Sequence, residues 1–215
     1  MSVAISIGEI LAFATRDDLV REVMDRLDRD GVDVTDTRVR SAIQLVEAEF
    51  NRNVRVPQME ALDSLALTSG SISLPSGFIA LRALYDSDSR IIPAVDPMAL
   101  IETPTGGTKV HCIIGGALKV APAADETVTC LYYTKLPNLS ADAQSNWLLD
   151  THPDIYFYGT LTQLSDLFAD DDNAAKYRAA FENAMGQLID LGHRRRFGGP
   201  LMMRSNVVQT RGATI

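Results

Sequence analysis

The chain has 215 residues, 46 % of them hydrophobic and 22 % charged, with a formal net charge of −8. That length supports one domain, with at most an appendage, and a core large enough to need no metal or disulfide staples. No apolar run approaches the roughly 18 residues of a membrane span, and the acidic balance argues against a sequence-specific DNA reader, whose footprint is basic.

Residues 1–14 are mildly apolar but carry Glu9 and have no basic lead-in, so no signal peptide is expected. Thr15-Arg16-Asp17-Asp18 has capping-box spacing, with Asp in place of the usual Glu or Gln. Leu19, Val23, Met24 and Leu27 then recur at helical spacing up to Gly31, which breaks the helix. Thr35 or Asp36 can cap a second helix. Its apolar stripe is Val39, Ile43, Val46 and Phe50, with Arg38, Arg40, Glu47 and Glu49 assigned to other faces. The short connection favours antiparallel packing of the pair. A DNA-binding helix-turn-helix is the sharper alternative, but Glu47 and Glu49 would then face phosphates. Asp28-Arg29-Asp30-Gly31-Val32-Asp33 has glycine fourth and valine fifth, the wrong order for a calcium loop.

From about residue 60 to 135 the pattern turns β-like. Asp63 to Thr68 and Ser71 to Leu74 are short runs split by Ser69-Gly70, and Pro75-Ser76-Gly77 is a turn before Phe78 to Tyr85, a buried strand or a short helix. Asp86-Ser87-Asp88-Ser89 turns the chain again. Asp96-Pro97-Met98-Ala99-Leu100 reads as a short helix with an Asp cap and a proline in the first position. Thr105-Gly106-Gly107 leads into Val110 to Ile114, and Gly115-Gly116 makes a hairpin into Leu118 to Ala121. Thr127 to Tyr133, rich in β-branched and aromatic residues, closes the set. These strands are short, which predicts a β insert rather than a sandwich of its own. Cys112 and Cys130 have no metal-type spacing and read as buried thiols in a chain made in a reducing cytosol.

Thr151-His152-Pro153-Asp154 offers a second capping box with a proline in the first turn. Phe157, Leu161, Leu164 and Phe168 form the stripe of that helix. Asp170-Asp171-Asp172-Asn173 suits the start of the next helix, whose face carries Tyr177, Phe181, Met185 and Leu188 and which continues towards Arg196. Gly198-Gly199-Pro200 stops it. The fold class expected is therefore mainly α with a small β insert (α+β). It comprises an antiparallel helical bundle over about 15–53 and 151–196, a short-stranded β region over about 60–135, and an extended C-terminal arm, 197–215, beyond a single domain of residues 1–196. Five arginines and no acid follow Asp190, so the net −8 divides into a −13 body and a +5 tail.

No catalytic constellation emerges. His111, His152 and His193 lie far apart, with no HxxxH or HExxH spacing. There is no GxSxG elbow, no GxGxxG and no lysine-bearing phosphate loop. Asp170 to Asp172 read as an exposed acidic cap rather than a cation site. No enzyme activity, cofactor or metal is expected.

The order Tyr132-Tyr133, Leu136-Pro137, Leu139-Ser140, Asn146-Trp147-Leu148-Leu149, Pro153-Asp154 and Tyr156 to Leu161, then Tyr177 and a terminal arm, resembles the head–tail adaptor (connector) proteins of tailed bacteriophages. The likeness covers the whole order of parts, although its specific portion is this block. It implies a structural virion protein at the head–tail interface, assembled in the bacterial host cytoplasm. Such a protein forms a ring, usually of twelve copies, which joins the capsid portal to the tail and surrounds the DNA exit channel. The implied partners are the portal protein, copies of itself and tail or nozzle proteins. Packaged DNA would pass without sequence-specific binding, and no membrane is involved. In this family the arm reaches onto the portal. Here Phe197, Leu201, Met202, Met203, Val207, Val208 and Ile215 would supply apolar anchors, and Arg194, Arg195, Arg196, Arg204 and Arg211 paired contacts to acidic groups. The alternatives are a tail-completion or stopper protein one layer lower, or a non-viral small-molecule-binding regulator or enzyme, which would carry a discrete pocket and form no ring.

Overall fold

The computed structural model describes residues 13–29, 34–103, 106–141 and 144–196. The expectations placed on Gly31, on Gly198-Gly199-Pro200 and on the 197–215 arm lie outside these residues. Among the described residues there are six α-helices: α1 (Arg16–Arg29), α2 (Asp36–Asn53), α3 (Pro97–Ile101), α4 (Trp147–Thr151), α5 (Pro153–Leu167) and α6 (Asp171–Arg196). Six strands accompany them: β1 (Glu60–Ala66), β2 (Ser71–Ser73), β3 (Phe78–Tyr85), β4 (Val110–Ile114), β5 (Ala117–Ala121) and β6 (Thr127–Thr134). Helix accounts for 49 % and strand for 22 % of the described residues, so the fold is mixed α and β rather than mainly α.

The first capping box forms as its spacing predicts. Thr15 N–H and Oγ1–H donate to Asp18 Oδ2 at 3.0 and 2.9 Å, and Asp18 N–H returns a bond to Thr15 Oγ1 at 3.3 Å. Thr35 stands at the N-cap of α2 without a side-chain cap bond. The stripe Val39, Ile43, Val46 and Phe50 is buried throughout. It meets Phe157, Leu161 and Leu164 of α5 and Tyr177, Phe181, Met185 and Leu188 of α6 in one core. Helix α5 is the central element, packed against α1, α2 and α6. Gly159 permits that approach, because a Cβ there would lie 3.0 Å from Phe181 Cε2 and from both γ-carbons of Val46. Asp170 caps α6 through Asn173, accepting its N–H at 3.3 Å.

The second capping box does not form. Thr151 belongs to α4 and donates its hydroxyl to Trp147 O at 2.6 Å, while His152, at φ −140° and ψ 60°, breaks the chain before Pro153 without a side-chain cap. Helix α5 still starts where expected, with Pro153 in its first turn, and the side-chain cap belongs to α4, where Asn146 Oδ1 accepts Leu149 N–H at 3.0 Å.

The β region also departs from expectation. It forms two three-stranded antiparallel sheets, ordered β1-β6-β3 and β2-β5-β4. Leu84, Val128, Cys130 and Tyr132 from the first pack with Leu118 and Val120 from the second, and Leu67 and Ile92 join them. The region is thus a two-sheet module with its own core, because β6 recruits strands distant in sequence. The two-residue turn Ser69-Gly70 carries the chain from one sheet to the other, closed by reciprocal bonds of 3.0 Å between Thr68 and Ser71. Gly70 has φ +71°, and a Cβ there would fall 2.5 Å from Val120 O, so the crossing accepts only glycine. The β4–β5 hairpin closes at Gly115-Gly116, with φ +59° and +79° as a primed turn requires. Asp86 Oδ1 accepts Asp88 N–H and Arg90 N–H at 2.9 and 2.8 Å, which builds the polar turn, and Asp96 Oδ1 caps α3 through Met98 N–H at 2.9 Å. Cys112 and Cys130 are free and buried, one in each sheet.

Candidate docking surfaces

The aromatic block that carries the family resemblance spans a linker, residues 135–146, between β6 and α4. Its backbone is held by side chains of the helical body. Leu136 N–H donates to Asn51 Oδ1 at 2.9 Å and Leu139 N–H to Glu47 Oε1 at 2.8 Å, while Arg16 Nη1 donates to Leu139 O at 2.7 Å. Asn146 Nδ2 donates to Pro137 O at 2.7 Å and to Tyr156 Oη at 2.8 Å, and Tyr156 O–H completes the ring of bonds on Glu47 Oε1 at 3.1 Å. The Trp147 ring meets Phe50 edge-on at 5.9 Å. Glu47 was placed by sequence on an outward face. It is only 3 % exposed, because the linker folds over it. Burial pushes its carboxyl above the usual range, against the opposing pull of the Leu139 N–H, the Tyr156 hydroxyl and the Arg16 charge. The Tyr156 phenol is pushed up, first by burial and then by Glu47.

The root of the C-terminal arm lies at the end of α6. Arg194 and Arg195 are exposed there, as a surface contact requires. Arg196 differs from them. Its Nη2 donates to Glu60 Oε1 at 2.5 Å and to Tyr133 Oη at 2.7 Å, so the guanidinium faces the chain's own β module rather than outward. The remaining residues singled out in sequence, Phe197, Leu201, Met202, Met203, Arg204, Val207, Val208, Arg211 and Ile215, lie outside the described residues.

A third surface went unread in the sequence. Ile91, Met98 and Ile101 are 68 %, 64 % and 75 % exposed around α3, with Ile113 of β4 also exposed. Ile91 and Ile113 line a groove of about 570 Å³, together with Leu81, Leu84, Ile92, Pro93, Val95 and His111. His111 is buried, with Nδ1 2.9 Å from Ile92 O, and burial lowers its pKa. Apolar residues at single positions in short strands and turns give no period, so only the folded arrangement shows them exposed. Among the described residues no group of His, Cys, Asp and Glu is placed to hold a metal ion, and no helix is long and apolar enough to cross a membrane. His111 sits in β4, His152 between α4 and α5, and His193 near the end of α6. Protein contact, through an apolar patch, a basic helix end and a firmly held junction, is what these surfaces can supply.

Residues 14–204 match the SU10 adaptor protein family, a span that takes in the helical body, the β module and the first part of the arm. No curated protein matches the chain. The chain belongs to the SU10 adaptor protein family and is a structural adaptor of a bacteriophage, a component of the virion.

Proposed function

From membership of the SU10 adaptor family, we propose that this protein forms a ring, of about twelve copies, that docks beneath the capsid portal and joins it to the tail around the DNA exit channel. The observation that carries this reading is the family match, which runs past the helical body into Met202, Met203 and Arg204 of the arm. A body of residues 1–196 packs against its neighbours, and the arm of 197–215 reaches the portal. Arg194, Arg195, Arg204 and Arg211 meet acidic groups there, and Phe197, Leu201, Met202, Met203, Val207, Val208 and Ile215 enter apolar pockets. Arg196 roots the arm in the body instead of contacting the portal.

The chemistry supports such a division. Ordering an arm costs about 1–2 kcal/mol per residue in backbone entropy, so it is repaid only on a large partner surface. Repetition around a ring turns modest single contacts into a durable joint. The acidic body repels the phosphates of DNA passing through the ring. Tail or nozzle proteins cover the opposite side, and assembly takes place in the host cytoplasm.

Co-sedimentation with the assembled portal from the same genome tests this, comparing the full chain with one ended at Arg196. Saturable binding lost on truncation supports the role and the arm's part in it. Binding that survives truncation moves the contact to the body. No binding by either chain at moderate salt, with binding to a tail component, replaces the reading with that of a stopper one layer lower.

A further inference from the structure

The longest helix ends against the start of the β module at two points. At Gly192 the helix comes so close that a Cβ would lie 3.1 Å from Val56 Cγ1 and 3.2 Å from Pro57 Cδ. One turn later Arg196 reaches Glu60 and Tyr133, and its guanidinium carbon stands 6.0 Å from the centre of the Tyr133 ring. Glu60 opens β1 and Tyr133 is its partner across the ladder in β6, while Arg82 of β3 bonds the second oxygen of Glu60. Two strands of this sheet therefore bond the side chain of one helix-terminal residue, and the third reaches it through Glu60. The Arg196 and Glu60 side chains are only 22 % and 16 % exposed, unlike the solvated pairs that add little to stability. Helix ends ordinarily fray. Here the final turn is tied by a charge-assisted bond, a phenol and a ring face.

We propose that Arg196 is a positioning residue for the C-terminal arm: clasped by Glu60 and Tyr133, it fixes the point from which the chain leaves the body, and so raises the arm's affinity for its partner by pre-organisation. The affinity part rests on the portal-docking reading above. A tethered segment that starts from a fixed root loses less freedom on docking than one that starts from a frayed turn. The proposal assigns no portal contact to Arg196 itself, which separates its role from those of the exposed Arg194 and Arg195.

A spin label on Gly198→Cys reads the root directly. Cys112 and Cys130 are buried, and burial pushes the Cys130 thiol up to about 11, so both stay unlabelled. Label mobility and affinity for the assembled portal are compared among the native clasp, Arg196→Gln and Tyr133→Phe. The last removes only a hydroxyl and serves if the first fails to fold. The expected result is a more mobile label in both variants and an affinity about tenfold lower for Arg196→Gln, with Tyr133→Phe between it and the parent. Tyr133→Phe leaves the Arg196 side chain in place, so a loss of affinity in that variant is not a lost portal contact of the guanidinium. An unchanged label in both variants overturns the proposal whatever the portal does. A mobile label with unchanged affinity overturns the pre-organisation. If the native chain ignores the portal, the docking reading fails, and the label still decides whether Arg196 holds the root.

Discussion

The helical body buries Arg16 and Glu47 among its apolar side chains and bonds them to the linker, whereas the buried polar side chains of the β module, Asp86 and His111, bond only to the module's own backbone. On the outside the relation reverses. Of the eight large hydrophobic residues exposed among those described, five (Leu62, Ile91, Met98, Ile101 and Ile113) belong to the β module. Buried polar groups cost desolvation and stabilise only when fully bonded, so a body that keeps them is specified as well as stable. Clustered exposed apolar surface marks places where partners bind. The comparison sets polar side chains that tie the linker to the helices against exposed apolar side chains on the β module.

Several substitutions would break or sharpen that contrast. The largest effect should come from the body's apolar core: Phe181→Ala is expected to cost about 3–5 kcal/mol, read by chemical denaturation with helical circular dichroism. Next, Glu47→Ala leaves Leu139 N–H and the Tyr156 hydroxyl without their acceptor and the Arg16 charge without its carboxylate. A loss of about 3 kcal/mol is expected; a loss below 1 kcal/mol would show that the polar clasp does not hold the linker. Glu47→Gln keeps an acceptor and removes the ionisation. Because burial holds the Glu47 pKa above that of a free carboxyl, the native state binds this proton more tightly than the unfolded chain. Its contribution is therefore fully present below the free-carboxyl pKa and is lost as pH rises through the raised value. Thermal melts of the parent minus those of Glu47→Gln should show that step. Gly159→Ala should cost about 1–3 kcal/mol by overpacking against Phe181 and Val46. Smallest of all, Ile101→Ser should change stability by about 0.5 kcal/mol or less. A larger drop in its melting temperature would make the α3 patch part of the module's own core and end the contrast.

Much of the body was legible in the sequence because helical stripes are local. Val39 to Phe50 and Tyr177 to Leu188 announce their buried faces by spacing alone, and Thr15 to Asp18 announces its cap. Glu47 escaped because a charged residue beside a stripe reads as solvent-facing until a linker 92 residues away covers it. Thr151 to Asp154 marked the start of α5 at Pro153, but its cap bond does not form because Thr151 closes α4 and turns its hydroxyl to Trp147 O. The strands were found nearly to their ends, but not their partners: β6 pairs with β1, some 70 residues earlier, and no local pattern encodes that register. The same holds at the arm's root, where Arg196 finds Glu60 at a separation of 136 residues. Its two exposed neighbours and its own clasped side chain look alike in a run of three arginines.

The hairpin tip at Gly115-Gly116 has a practical use. Among the described residues nothing lies within 4 Å of a Cβ built on either glycine, and the carbonyl of Gly116 accepts Leu74 N–H at 3.2 Å. A short lanthanide-binding loop spliced between the two glycines would lengthen a turn ahead of that bond rather than displace a packed chain. Each doubling of loop length costs only about 0.6 kcal/mol in closure entropy, less than the substitutions in the helical core. The tip thus offers a handle for mapping where each copy sits in a particle, with both the arm and the helical body left untouched.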